Sequence, residues 1–249
     1  MHIRVINPNT TRGMTDTIGK AAASVAAPGT RITATQPASG PVSIESHFDE
    51  AISAVGVVEE VLAAERGEDP VDAYVIACFG DPGLLAAREV TRAPVIGIAE
   101  AAFHMATLIS TRFSVVTTLG RTGIIAEHLL ENYGFSHHCR RVRAAEIPVL
   151  DLEENPDLAV ERLIDECLRA KKEDNIGAIV LGCGGMADLT DQLTDAIGLP
   201  IIEGVSSGVK LAEALAGLKL GTSKYGDLAY PRPKPFTGQF EHHSNIKIQ

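Results

Sequence analysis

The chain has 249 residues, 45% of them hydrophobic, and carries 22 Lys and Arg against 32 Asp and Glu, for a formal net charge of -10. This length and apolar content predict a compact protein of one large or two small domains with a substantial core. The acidic balance disfavours nucleic acid and anionic membranes as partners, because both attract basic surfaces.

The sequence has only weak signals for membrane insertion and for disulfide or zinc crosslinks. Apolar runs are interrupted well short of the ~18 to 20 residues needed to cross a bilayer, and the amino terminus has no basic-then-apolar leader. We therefore expect a cytoplasmic protein. Its four cysteines include no C-x-x-C pair, which favours free thiols over a disulfide framework or a structural zinc site, and we expect no metal.

Short apolar runs alternate with helix-length segments along almost the whole chain, a pattern typical of parallel sheets covered by helices on both faces. The predicted fold is α/β, with two pseudo-symmetric lobes and a cleft between them. The first lobe comprises 1–100 and a returning helix at about 205–220, and the second comprises 111–204. Helices are expected near 13–26, 47–66, 82–90, 100–109, 121–133, 157–173, 187–197 and 205–217.

The composition changes from Gly221 onward, where polar residues and alternating prolines replace the apolar pattern. Alternating prolines make regular structure unfavourable, so we expect 221–249 to be an irregular tail that is disordered from about Glu241. Such a tail is suited to covering a cleft or wrapping a neighbour.

Two stretches of the chain resemble each other, and in each an apolar run ends in a cysteine and glycine. Residues 74–80 read YVIACFG and residues 179–185 read IVLGCGG. A proline that opens another apolar run follows the cysteine by 16 residues in the first copy and by 17 in the second. Upstream, 3–11 and 113–121 each pass from an apolar run into small polar residues. We interpret this pattern as an internal duplication.

Ligands of open parallel sheets bind beyond the carboxyl ends of the strands, where Asn9, Cys78, Thr117 and Cys183 would all lie. Pseudo-symmetry then predicts that the two thiols face each other across one cleft. We expect a helix to begin just after each cysteine, so that its backbone N–H groups and dipole lower the thiol pKa and offer an oxyanion site. Close approach of a substrate to that backbone is allowed by Gly80, Gly184 and Gly185.

Two opposed thiols suit a reaction that removes a proton from one face of a carbon acid and delivers another to the opposite face. Such chemistry needs neither a metal nor an organic cofactor. A thiol redox protein is an alternative and predicts reversible bonding between Cys78 and Cys183, although the chain lacks a thioredoxin-like pattern. A non-catalytic ureide-binding protein is a third possibility.

Seven segments resemble the aspartate/glutamate racemase superfamily and, within it, the hydantoin and allantoin racemases: 5–10 (VINPNT), 43–45 (SIE), 47–50 (HFDE), 77–83 (ACFGDPG), 97–100 (GIAE), 116–118 (VTT) and 181–186 (LGCGGM). The resemblance spans about residues 2 to 240. It implies a homo-oligomer in which Cys78 and Cys183 are the catalytic acid/base pair. It also implies that the ligand is surrounded by Asn9, Ser43, Gly80, Thr117, Thr118, Gly184 and Gly185, to which we add Phe79.

The predicted substrate is a neutral cyclic ureide. Asn9 and Gly185 stand where the amino-acid racemases of the superfamily would place an acid and a histidine, and a zwitterion would want buried countercharges. Arg12 and Arg121 follow polar loops, and we expect them to face solvent, with carboxylate binding as the alternative.

Aromatic residues make up 4% of the chain and Trp is absent, which favours allantoin and its polar ureido group. Racemisation of 5-monosubstituted hydantoins is the alternative, because an apolar substituent could pack against Phe48, Phe79 or Phe103.

Several other residues receive structural interpretations. Cys139 and Cys167 are expected to be small buried hydrophobes, and His137 and His138 to lie in a solvated turn rather than a metal site. His47 and Glu50 are expected to cap a helix. Glu100 and Glu203 occupy equivalent positions after the two proline-led strands, and are expected to bond loop amides, with an indirect role beside the thiols as the alternative.

Overall fold

The computed structural model describes residues 1–245, and eight strands in that range form two parallel sheets of four. The first sheet has the order β2-β1-β3-β4 and the second has the order β6-β5-β7-β8, so each strand of one sheet has a counterpart in the other. The strands are β1 (His2–Ile6), β2 (Arg31–Thr35), β3 (Ala73–Ile76), β4 (Val95–Gly97), β5 (Phe113–Thr117), β6 (Cys139–Ala144), β7 (Ala178–Leu181) and β8 (Ile201–Ile202).

Helices cover both faces of each sheet, which confirms the predicted α/β class. All eight expected helices are present within a few residues of their predicted bounds. A short additional helix, α6, was not anticipated. The helices are α1 (Arg12–Val25), α2 (His47–Glu65), α3 (Leu84–Val90), α4 (Ile98–Ile109), α5 (Gly120–Asn132), α6 (Asp151–Glu154), α7 (Pro156–Glu173), α8 (Thr190–Ile197) and α9 (Gly204–Gly217).

Strand burial differs between the two edges of each sheet, because the edge strands β4 and β8 are buried, whereas the edge strands β2 and β6 are not. Strands β3, β5 and β7 lie inside their sheets and are buried along their whole length. Strands β2 and β6 lie at sheet edges, are polar, and are only partly buried. The arginines of β6 therefore belong to a half-exposed edge strand, where Arg143 binds Asp174 on the neighbouring α7–β7 turn. The exposure of this strand explains why Arg140, Arg141 and Arg143 stand where an apolar strand pattern would otherwise be expected.

Helix α4 lies between the two sheets and contributes to two hydrophobic cores. Ile98 and Ala101 pack in the core of the first sheet, against α1 and α9. Ala102 and Phe103 pack in the core of the second sheet, where the ring of Phe103 stacks on that of Phe113 at 5.8 Å. Helix α9 returns to contact α4, α1 and β3.

The tail is anchored to the first sheet and is more ordered than predicted. The N–H of Thr222 donates to the carbonyl of Arg92 at 2.8 Å, and 3-10 turns form at Gly226–Leu228 and Gly238–Asn245. The expectation of disorder from Glu241 is therefore wrong for 241–245. Its last part, 246–249, lies outside the described residues. Within the described range, no helix combines the length and apolar character needed to span a bilayer.

Candidate active site

A cleft between the two sheets holds both repeat cysteines. It contains about 600 Å³ of space, counting its open mouth. Cys78 follows β3 and Cys183 follows β7, and these strands occupy equivalent places in their sheets. The cleft is lined by Asn9, Met14, Ile44, Glu50, Ala77, Cys78, Phe79, Gly80, Thr117, Thr118, Thr122, Ile125, Ala126, Val149, Gly182, Cys183, Gly184 and Gly185.

The backbone after each cysteine turns so that an N–H two residues on donates to the sulfur. Gly80 donates to Cys78, and Gly185 donates to Cys183. Neither donor belongs to an α-helix, because α3 begins only at Leu84 and Cys183 is followed by a 3-10 turn. The expectation of a helix beginning just after each cysteine is therefore wrong for Cys78, and after Cys183 it is met only by a single 3-10 turn, although the predicted backbone donors are present at both.

The pKa of each thiol is raised, contrary to the sequence-based expectation. Burial raises the pKa of Cys78 to about 12, and the charges of Cys183, Asp81 and Glu50 act in the same direction. Burial raises the pKa of Cys183 to about 11, with a smaller contribution from Glu45. The single N–H bond at each sulfur opposes these effects but does not overcome them. Both thiols are therefore protonated at neutral pH.

The two cysteine loops touch each other through glycine. A Cβ placed on Gly184 would lie 2.5 Å from the carbonyl oxygen of Ala77, the residue before Cys78. A Cβ on Gly182 would lie 2.7 Å from the Cβ of Thr117, whose hydroxyl donates to the Gly182 carbonyl at 3.0 Å. Glycine at 184 thus allows the two loops that bear the thiols to approach closely, and glycine at 182 allows the Cys183 loop to pack against the end of β5.

Asp81 anchors the Cys78 loop, a role that the sequence did not suggest. Its φ of +46 places it in the left-handed region, and its buried carboxylate accepts bonds from the N–H groups of Ala99 and Glu100 at 3.0 Å each. The hydroxyl of Tyr133 donates a third bond at 2.9 Å. Burial raises the Asp81 pKa to about 7 despite these donors. The loop after Cys78 is therefore fixed to the first turn of α4.

The amino-terminal loop brings a buried amide to the cleft. The Asn9 side-chain oxygen accepts bonds from the Thr11 N–H at 2.9 Å and the Asn7 amide at 2.8 Å. Its nitrogen lies 3.1 Å from the Met14 sulfur. These contacts fix the Asn9 side chain at the cleft wall without any charged partner.

Most of the residues predicted to bind the ligand line this cleft: Asn9, Phe79, Gly80, Thr117, Thr118, Gly184 and Gly185. Ser43 does not line it, and the next residue, Ile44, does. Their roles in binding stay predictions. The apolar lining from Met14, Ile125 and Val149 was not anticipated, because these side chains come from segments distant in sequence.

Glu50 introduces a carboxylate into the cleft, which was not anticipated. It lies in the first turn of α2, and its side chain is 24% exposed and 3.6 Å from His47. Burial raises its pKa. The helix is capped instead by Ser46, which accepts a bond from the Asp49 N–H at 3.2 Å. The capping role proposed for His47 and Glu50 is therefore wrong. The sequence signal for the position of Glu50 was its i, i+3 spacing from His47, close after the loop that bears Ser43.

The two equivalent glutamates differ in their contacts. Glu203 accepts bonds from the N–H groups of Val205 and Ser206 at 2.6 Å each, as expected of a structural cap. Glu100 instead pairs with Arg88 at 2.5 Å, so its predicted bonding to loop amides is wrong. The Asp81 carboxylate accepts the hydrogen bonds from the loop amides, those of Ala99 and Glu100, instead.

The other structural interpretations hold with small changes. Arg12 and Arg121 are exposed, as expected. His137 and His138 lie in a turn before β6, and Cys167 is buried. Cys139 is only partly buried, because it lies on an edge strand.

The phenylalanines named as possible pocket residues occupy three different environments. Phe79 lines the cleft, Phe103 lies in the core, and Phe48 is 76% exposed.

Comparison with known proteins places this cleft in context. Residues 3–212 match the family described as Asp/Glu/Hydantoin racemase. Proteins named hydantoin racemase from Pseudomonas sp. (strain NS671) and Rhizobium meliloti are 48% and 50% identical, over 97% and 96% of this chain and 96% and 98% of their own lengths. The solved structure of allantoin racemase from Klebsiella pneumoniae is 59% identical, with a TM-score of 0.94 over 97% of this chain and 98% of that one. These matches confirm the resemblance found in the sequence.

Proposed function

This chain belongs to the Asp/Glu/Hydantoin racemase family, and from that premise we propose that it interconverts (R)- and (S)-allantoin, with Cys78 and Cys183 as the acid/base pair. Family membership makes it a racemase. The observation that carries the two-thiol mechanism is the presence of both cysteines in one cleft, at equivalent ends of β3 and β7.

In the proposed reaction, the thiolate of one cysteine removes the proton from the ring stereocentre and becomes a thiol. The thiol of the other cysteine donates its proton to the opposite face and becomes a thiolate. One turnover therefore inverts the stereocentre and exchanges the protonation states of Cys78 and Cys183. No electron is transferred, so the step requires no redox partner and no cofactor.

The raised thiol pKa supports this chemistry. A C–H beside a carbonyl and a nitrogen is a weak acid, and proton transfer is more favourable when the base has comparable strength. Burial, which raises the pKa of both thiols to between about 11 and 12, makes each thiolate a stronger base than an exposed cysteine. The N–H groups of Gly80 and Gly185 stabilise the thiolate once it forms.

The cleft lining favours a substrate with polar N–H groups. Asn9, Thr117 and Thr118 offer neutral hydrogen-bonding groups, and Glu50 offers a carboxylate that accepts bonds only. The ureido group of allantoin carries N–H donors that suit such a carboxylate. The 59% identity to the allantoin racemase of Klebsiella pneumoniae supports the same substrate.

Racemisation of 5-monosubstituted hydantoins is the second candidate. Ile44, Phe79, Ile125 and Val149 give part of the lining an apolar character that an alkyl or aromatic substituent would fill. Relatives named hydantoin racemase are up to 50% identical to this chain. The ring and its acidic C–H are shared, so the same two thiols would serve both substrates.

The decisive experiment follows the decay of circular dichroism of single enantiomers of allantoin and of 5-benzylhydantoin. The pH is chosen so that spontaneous racemisation is slow. We expect the protein to accelerate allantoin decay with the larger kcat/KM. A larger kcat/KM for 5-benzylhydantoin would replace the allantoin assignment, and acceleration of neither would overturn the ureide proposal. The homo-oligomeric state stays a prediction that sedimentation would test.

Glu50 provides a test of substrate choice. We expect Glu50→Gln to lower kcat/KM for allantoin by about 10-fold, because a hydrogen bond to a charged group contributes about 1.5–3 kcal/mol. The loss for 5-benzylhydantoin should be smaller, since its substituent has no N–H. The matched control, Glu60→Gln, removes a charge from the same helix away from the cleft lining. Equal losses for both substrates would show that Glu50 does not recognise the ureido group.

The pH dependence of kcat/KM provides a separate test of the base. We expect kcat/KM to rise between about pH 6 and pH 9, by up to tenfold per unit, because the thiolate fraction of the free enzyme grows with pH below the raised pKa. The measurement is initial-rate circular dichroism corrected for the uncatalysed reaction at each pH. A kcat/KM that falls over this range would exclude a thiolate base with a raised pKa.

A further inference from the structure

A cluster of two histidines and one glutamate lies where the tail meets α2, away from the cysteine cleft. The Nε2 atom of His242 is 3.2 Å from Oε1 of Glu59, and Nε2 of His243 is 3.6 Å from the same oxygen. One potential ligand atom from each residue lies within 4.8 Å of the other two. Glu59 lies on α2, 183 residues before His242. The cluster therefore joins two distant segments of the chain.

We propose that Glu59, His242 and His243 form a Zn²⁺ site that fastens the tail to α2. Two imidazole nitrogens and one carboxylate oxygen are a donor set that zinc accepts, at about 2.0–2.2 Å each. Ligand atoms around a tetrahedral ion at those distances are roughly 3.3 Å apart, so modest side-chain rotation suffices to bring the three together. Glu59 and His242 are exposed, which leaves room for a water as the fourth ligand.

The histidine pair is held in place by its own segment. The ring of His243 is 11% exposed and stacks on Phe240 at 6.1 Å, with Phe236 edge-on at 5.8 Å. The Ser244 hydroxyl accepts a bond from the Phe236 N–H at 2.6 Å and donates to the Phe236 carbonyl at 3.2 Å. This clip closes the segment into a compact loop. The histidine segment is therefore already partly ordered before a metal binds, which lowers the entropic cost of binding.

The histidine pair has charged neighbours of both signs, Glu59 and Arg66. Arg66 lines the same hollow and repels a cation, so Glu59 must supply the balancing negative charge.

Zinc at this site would stabilise the docked tail. Between α2, α3 and the tail lies a groove of about 1920 Å³, counting its open side, with Val58, Val90, Phe236 and Phe240 among its lining residues. A metal crosslink between Glu59 and His242–His243 closes one end of this groove, because it holds the tail on the α2 face. The free energy of zinc binding would then stabilise the docked tail against local unfolding.

The binding test is a competition titration of the full chain with Zn²⁺ and a chromogenic chelator. We expect one zinc at this site, with affinity at least 10-fold lower in His242→Ala/His243→Ala and in Glu59→Gln. The chain offers a matched control in its second adjacent histidine pair, His137→Ala/His138→Ala, which should bind as the wild type does. Unchanged affinity in the tail variant would overturn the proposal.

The cleft thiols are the competing site, and Co²⁺ separates the two. Cobalt bound by Glu59, His242 and His243 should show tetrahedral visible bands without a near-ultraviolet thiolate charge-transfer band. A spectrum with that thiolate band as its only metal signal, lost in Cys78→Ser/Cys183→Ser, would overturn the proposal. Chymotryptic cleavage after Phe236 and Phe240 should slow several-fold on adding Zn²⁺ to wild type but not to the tail variant. Equal slowing in both would contradict the crosslink.

Discussion

Replacing either Cys78 or Cys183 with serine is expected to lower kcat for racemisation by about 10²–10⁴-fold in both directions, the range that general acid–base catalysis typically supplies. A serine hydroxyl is a far weaker acid than a thiol, so it neither reaches the anion needed as base nor donates readily as acid. Serine is close to cysteine in size, and both positions contact the open cleft, so the fold should be retained.

Each single variant should still exchange a proton on one face. The remaining thiolate can remove the proton from one enantiomer and return a deuteron from solvent D₂O to the same face. We therefore expect NMR to detect deuterium in one enantiomer only, without inversion, and a different enantiomer for each variant. Cys139→Ser is the control, because Cys139 lies on an edge strand outside the cleft lining, and it should keep full activity. Full racemisation by either cleft variant would disprove the two-thiol mechanism.

Introducing a single methyl group at Gly184 is expected to lower kcat by about 10²-fold or more. The added Cβ would lie 2.5 Å from the carbonyl oxygen of Ala77 and 3.3 Å from its carbonyl carbon, so backbone must move. That carbonyl directly precedes Cys78, and Gly184 directly follows Cys183, so the movement changes the separation of the two sulfurs. A misplacement of about 1 Å can cost about 10²-fold in rate.

Gly184→Ala should also lower the free energy of unfolding by about 1–3 kcal/mol, the typical cost of overpacking. Thermal denaturation and far-UV circular dichroism would separate this loss from the catalytic one. Gly217→Ala is the control, because a Cβ there meets nothing within 4 Å, and it should leave kcat and stability close to wild type. Wild-type kcat in a folded Gly184→Ala protein would show that loop spacing does not limit the reaction.

The duplicated pattern in the sequence was sufficient to predict the two sheets and the shared position of Cys78 and Cys183. Strand β3 and strand β7 are internal, fully buried strands, and such strands carry the strongest sequence signal. The edge strand at Cys139–Ala144 carries a weaker one, because Arg140 and Arg141 are exposed and the buried side chain of Arg143 pairs with acids elsewhere.

The direction of the thiol pKa shifts was not predictable. It depends on how many atoms of both lobes surround each sulfur and on where the neighbouring turns place N–H groups, and neither is encoded in local spacing. The same is true of Glu50, which precedes Cys78 by 28 residues in the chain and reaches the cleft only because α2 packs beside the Cys78 loop. A Cβ on Gly80 would lie 3.2 Å from its carboxylate.

Helix α4 has a consequence for how the molecule unfolds. Its residues alternate between two cores, with Ile98 and Ala101 in one and Ala99, Ala102 and Phe103 in the other. Unfolding of either sheet would expose the apolar face of α4 that packs against it. The packing of the opposite face of α4 against the other sheet would then weaken. The two lobes are therefore coupled energetically, and heating should melt them in one cooperative transition, despite their separate sheets.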